Sequence, residues 1–78
     1  MSPDEARLAI MNVLTGLELI DGRQADAEDI EFAGLGIDSM KVVDLCVGLE
    51  ERVGREISIE ELIENPTVNR LAEHFARM

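Results

Sequence analysis

Four times in 78 residues a helix-capping side chain is followed by apolar residues recurring every three or four positions, a punctuation that permits little besides a small helical bundle. The first case is "SPDEARLAIMNVL". Ser2 can cap, Pro3 suits the first helical position, and Glu5 completes an S-x-x-E capping box. Ala6, Ile10, Val13, Leu14 and Leu17 then form one stripe, which fades near Ile20 at Asp21 and Gly22. Asp38 or Ser39 can cap the second helix, which runs to about Val53, with Gly54 suited to the left-handed position just beyond. A turn of about 100° per residue gathers Val42, Leu45, Cys46, Leu49 and Val53 on one arc, the expected core stripe. Met40, Val43 and Val47 form a separate apolar shoulder beside Asp44 and Glu51, on a side where such a helix would normally meet water.

A second S-x-x-E box, Ser58 with Glu61, predicts a short third helix through Leu62 and Ile63 that stops before Asn65 and Pro66. The alternation of Ile57 and Ile59 also fits a strand, but there is no second strand to pair with it. Thr67 caps the last helix, whose stripe is Val68, Leu71, Ala72 and Phe75. Between the first two helices, Asp21 to Ile37 carries three glycines and the acidic run "DAEDIE" and shows no sustained period beyond one candidate turn. Connections of that length are uncommon in compact domains and often functional. Ile30, Phe32, Leu35 and Ile37 are expected to pin it to the bundle. The predicted fold is all-α: a four-helix bundle of antiparallel type, three longer helices and a short third, with a long first loop. Residues 1–78 form a single domain without repeat or linker.

A chain this short buries only about 60% of the surface it exposes unfolded, so modest stability is expected. One cysteine excludes an internal disulfide and points to a reducing compartment. No apolar run approaches the roughly 20 residues needed to cross a bilayer, and Met1 to Ile10 lacks the pattern of a secretory leader. A cytoplasmic, soluble, monomeric protein is expected. Seventeen acids against seven bases give a net charge of −10, which repels nucleic acid and anionic lipid and attracts basic protein patches. Two Phe, with no Trp or Tyr, leave no platform for stacking bases.

Ser39 stands where the loop meets the second helix. As a nucleophile it would need His74, the only histidine, as its base, and no G-x-S-x-G elbow surrounds it. His74 is read instead as a surface residue in the last helical turn, where a cation suits the dipole. The acids Asp26, Glu28, Asp29 and Glu31 lack the D-x-D-x-D-G order of a calcium loop, so a solvated acidic segment is expected and no metal site. Cys46, on the core arc, behaves as a small hydrophobe. Ser39 remains as a site of modification, because Asp38 can cap in its place and a helix N-terminus favours an attached phosphate.

The stretch "LGIDSMKVVDLCVGLEERVGREI" closely resembles the signature of acyl and peptidyl carrier proteins, in which Asp-Ser-Leu or Asp-Ser-Met opens the second helix. The resemblance implies that Ser39, next to Asp38, receives a 4'-phosphopantetheine arm from coenzyme A by a magnesium-dependent phosphopantetheinyl transferase. The arm's thiol would then hold acyl or aminoacyl groups as thioesters. It implies a non-catalytic carrier whose second helix docks, through Asp38, Met40, Lys41, Asp44, Val47 and Glu51, on basic patches of partner enzymes. These would be the transferase, loading enzymes, acyltransferases, and ketosynthases or condensation enzymes.

Val43, Cys46, Leu49, Ile57, Ile59 and Leu62 are the expected lining of an acyl cavity between the second and third helices. Lys41 stands where carriers of primary fatty acid synthesis usually have an acid, and "ENPTVNRLAEHF" looks more like carriers of polyketide and nonribosomal peptide assembly. A discrete carrier of a specialised pathway is therefore expected. The alternatives are a specialised fatty acid carrier, an unmodified acidic interaction module and, third, a serine hydrolase.

Overall fold

A computed structural model of the chain describes residues 1–20 and 29–77. Each of the four cap signals starts a helix. Ser2 Oγ accepts the Glu5 amide (3.2 Å) ahead of α1, Pro3–Gly16. Asp38, and not Ser39, caps α2, Ser39–Val53, its Oδ1 accepting the Lys41 amide at 2.9 Å. Ser58 and Glu61 close the expected reciprocal box on α3, Ile59–Glu64. Thr67 Oγ1 accepts the Arg70 amide (3.1 Å) at the start of α4, Val68–Ala76. Helix α2 stops where Gly54 takes φ 85°, the conformation that cheaply ends a helix only when no Cβ is present.

Helix α1 ends earlier than its apolar stripe. Glu18 takes φ 60°, and the Leu19 amide reaches back to the Leu14 carbonyl (3.0 Å), so the chain turns while Ile20 is still buried against the core. The expected end at Asp21 and Gly22 lies outside the described residues, as do Asp26 and Glu28 of the acidic run. The stretch from Ile57 to Ile59 is not a strand: Ile57 is buried before the cap and Ile59 is already helical.

Helix α1 packs along α4 and across α2. The completely buried side chains Ile10, Leu14, Leu45, Leu49, Val68, Leu71 and Phe75 fill the space between these three helices. Gly48 marks the crossing of α1 and α2: a Cβ built on it would stand 2.7 Å from Val13 Cγ1, inside any normal contact. Among the described residues no helix is long and apolar enough to cross a membrane.

The described part of the loop is tied to the other end of the chain. Ile30 and Phe32 are buried, and Leu35 and Ile37 pack at the core's edge. Phe32 opens a short 3-10 turn, Phe32–Leu35. Glu31 and Thr67 form an antiparallel bridge, with the Phe32 amide on the Pro66 carbonyl and the Val68 amide on the Ile30 carbonyl, both 2.9 Å. Asp29 adds a second cap to α4, its Oδ1 accepting the amides of Asn69 (3.0 Å) and Ile30 (2.8 Å). Burial would raise the Asp29 pKa, but the hydrogen bonds from Asn69, Thr67 and Ile30, with the Arg7 charge, outweigh it and hold the carboxyl below its ordinary value. Asp29, expected in a solvated acidic patch, is a structural cap.

Candidate functional site

The loop delivers the chain to Ser39 at the outer tip of α2. Because Asp38 holds the capping position, the Ser39 hydroxyl is relieved of that role. It is exposed, at the first helical position, and makes no side-chain hydrogen bond among the described residues. Asp38 satisfies the Lys41 amide with its carboxylate and the Val42 amide with its carbonyl (3.0 Å), leaving the amides of Ser39 and Met40 at the positive end of the helix. A phosphate esterified to Ser39 Oγ would lie within the field of that end. The residues present therefore fit an attached phosphodiester.

His74 is not the free surface residue expected from its place in the last turn of α4. It is half-buried, with Nε2 2.8 Å from Glu61 Oε1 on α3. Glu61 also pairs with Arg55 and accepts the Ser58 amide at 2.8 Å. The Arg55 hydrogen bond, against the opposing effect of burial and with help from His74 and Ser58, brings the Glu61 carboxyl down to about 2. His74 is thus engaged with a carboxylate of the fold, and a role as base for Ser39 would require it to leave that bond.

Beyond Ser39, the exposed side of α2 carries Met40, Val43, Asp44, Val47 and Glu51. At about 100° per residue they fall within roughly 100° of helix surface. Met40 is 77% exposed, far beyond what an apolar side chain on a closed bundle requires. Lys41 does not share this arc. It falls about 60° past its edge by the same rotation and is half-buried on the flank, so the expected reversal of charge does not interrupt the face. Two apolar residues of α3 are exposed as well, Ile59 and Ile63, the latter 71% exposed. The overlooked signal is that a helix of six residues can bury only one or two positions, and Leu62 takes that role.

An apolar groove of about 260 Å³ opens between the 3-10 turn, α2 and α3. Its walls are Phe32 and Ile37, then Val42 and Leu45 of α2, then Ile59, Leu62 and Ile63 of α3. Of the expected cavity residues only Ile59 and Leu62 border it. Val43 points to solvent, whereas Cys46, Leu49 and Ile57 are buried in the core. The difference is one of helix rotation: the arc facing α3 is centred on Val42 and Leu45, one position or more N-terminal to the expected set. Burial first, and then the negative charges of Glu50 and Glu61, push the Cys46 thiol up, so it stays protonated packing.

Residues 9–75 match the family profile described as "Phosphopantetheine attachment site". The chain is 27% identical over 78 aligned positions to Nonribosomal peptide synthetase 2 of Gibberella zeae, an alignment covering 95% of this chain and 2% of that protein. It is 36% identical over 70 positions to Polyketide synthase GfsA of Streptomyces halstedii, covering 77% of this chain and 1% of that protein. The chain therefore spans only a small fraction of the curated relatives it matches. No solved structure matches it. With a profile match over most of its length, a helical bundle, and an exposed serine opening the second helix, the chain belongs to the phosphopantetheine-attachment family, the carrier domains that hold 4'-phosphopantetheine covalently.

Proposed function

We propose that Ser39 is the attachment point, and that this carrier holds acyl or aminoacyl intermediates of polyketide or nonribosomal peptide assembly as thioesters. The observation that carries the reading is the exposed Ser39 hydroxyl, which makes no hydrogen bond among the described residues because Asp38 caps the helix in its place. A transferase with magnesium would join Ser39 Oγ to the β-phosphorus of coenzyme A. The serine proton goes to a base of the transferase, the pyrophosphate bond breaks, and 3',5'-adenosine bisphosphate leaves. When bound, the arm supplies the thiol that forms the thioester; the protein itself performs no chemistry on the cargo.

What this chain's residues do is position and steer. Asp38 fixes the first turn of α2, so Ser39 projects outward. Asp44 and Glu51 flank Met40, Val43 and Val47, a face suited to a partner with an apolar centre and a basic rim. Such rim charges raise the rate of encounter more than the strength of the complex, which suits a carrier that must leave each enzyme quickly. Tethering raises the effective concentration of the cargo at each active site. The cytoplasm, where coenzyme A and a transferase are at hand, is the proposed location.

The test is incubation of the protein with coenzyme A, magnesium and a broad-specificity transferase, read by mass spectrometry. The expected result is the addition of one phosphopantetheine, lost in Ser39→Ala. A chain left bare under conditions that load a known carrier would refute the reading and leave an unmodified interaction module. Ester hydrolysis through Ser39 without any arm would replace it with a hydrolase.

A further inference from the structure

Helix α3 is the least embedded of the four, since Leu62 alone of its six residues is buried. Its remaining ties converge on one carboxylate. Glu61 accepts the Ser58 amide and pairs with Arg55, both in the segment that leads from α2 into α3, and its Oε1 lies 2.8 Å from His74 Nε2 on α4. An ionised carboxylate only accepts, so His74 Nε2 carries the hydrogen and donates it. Among the described residues this is the only side-chain hydrogen bond from α3 to another helix. The same short helix forms a wall of the apolar groove, with Ile59, Leu62 and Ile63 opposite Val42 and Leu45.

We propose that the His74–Glu61 bond is a latch that holds α3 against α4 and thereby sets the width of the groove. Glu61 also closes the capping box with Ser58 and pairs with Arg55, and neither contact depends on His74. When the latch opens, α3 therefore keeps its own fold and swings on the segment from Gly54 to Ser58. Motion of this kind belongs to elements with few buried apolar contacts, and α3 has the fewest here. The latch is a property of the fold and does not depend on whether Ser39 carries an arm.

The test uses the full chain, with amide hydrogen exchange followed by NMR and with groove access followed by binding of Nile red, a neutral apolar dye. His74→Ala removes the donor without disturbing the Glu61 cap, and His74→Gln keeps a side-chain N–H of similar reach. In His74→Ala the amides of Leu62 to Asn65 should exchange about tenfold faster or more, with those of Leu14 and Leu71 little changed, as expected of a local opening. Dye binding should rise in parallel, and His74→Gln should recover most of both effects. Unchanged exchange in α3, or equal acceleration at Leu14 and Leu71, would overturn the latch. Faster exchange in α3 without added dye binding would overturn its control of the groove.

Discussion

Replacing Gly48 by alanine sets two effects of opposite sign against each other at the crossing of α1 and α2. On an isolated helix the change stabilises by about 1 kcal/mol, because alanine loses less backbone entropy than glycine. Here the new Cβ would lie 2.7 Å from Val13 Cγ1 and 3.5 Å from Cγ2. Carbon atoms rest at about 3.5–4 Å, so the valine must retreat by nearly 1 Å or the helices must part. Val13 is buried, and a β-branched side chain has few rotamers in a helix, so it has little room to give. Overpacking of this kind costs about 1–3 kcal/mol. Gly48→Ala should therefore destabilise by about 1 kcal/mol net.

In a Val13→Ala background both offending methyls are gone, and the nearest atom of residue 13 is Cβ at 3.7 Å, an ordinary contact. There the same substitution should stabilise by about 1 kcal/mol, a coupling of about 2 kcal/mol between the two sites. Urea unfolding followed by far-ultraviolet circular dichroism measures all four proteins, and 1 kcal/mol corresponds to about 4–8 °C in Tm for a domain of this size. If Gly48→Ala raised stability equally in both backgrounds, the close approach of α1 and α2 would be refuted.

Glu61 gives the fold an acid-sensitive component. Its carboxyl falls from an ordinary 4.5 to about 2 in the folded protein. Its contribution is thus complete above about pH 5 and is lost as the pH falls from there through about 2. The shift alone corresponds to at most about 3.5 kcal/mol; because its partner Arg55 is 37% exposed, solvent screening brings the expected value to about 1–2 kcal/mol. The stability gap between the parent and Glu61→Gln should accordingly shrink between about pH 6 and about pH 2.5, and a constant gap in urea titrations would contradict the assignment. On the proposed docking face, Met40→Ala and Asp44→Lys should each slow loading by the transferase about tenfold, roughly 1.4 kcal/mol, while Tm stays within a few degrees. Unchanged loading kinetics would remove those residues from the face.

Much of this architecture was legible because local rules and tertiary packing agree. All four cap residues begin helices, and the stripes of α1 and α4 supply Ile10, Leu14, Val68, Leu71 and Phe75 to the core. The choice between Asp38 and Ser39 as cap was open in the sequence, since either side chain can reach an amide of the first turn. It is decided by the backbone, extended at Asp38 and helical from Ser39. The groove was misread because its lining depends on how α2 is rotated against α3, which no single-helix pattern fixes; hence Val43, Cys46 and Leu49 gave way to Val42 and Leu45. Asp29 and His74 looked like solvated charges because their partners, Asn69 and Glu61, stand 40 and 13 residues away. Gly48 carried no signal at all, since a glycine within a helical pattern reveals its reason only when the facing helix is in place.

The ladder between residues 30–32 and 66–68 gives the carrier an unexpected load path. A pull applied along α4 would travel through two main-chain hydrogen bonds into the strap that ends at Ser39, bypassing the shaft of α2. A bulky fusion behind Phe75 should thus be felt first where the strap meets the start of α2.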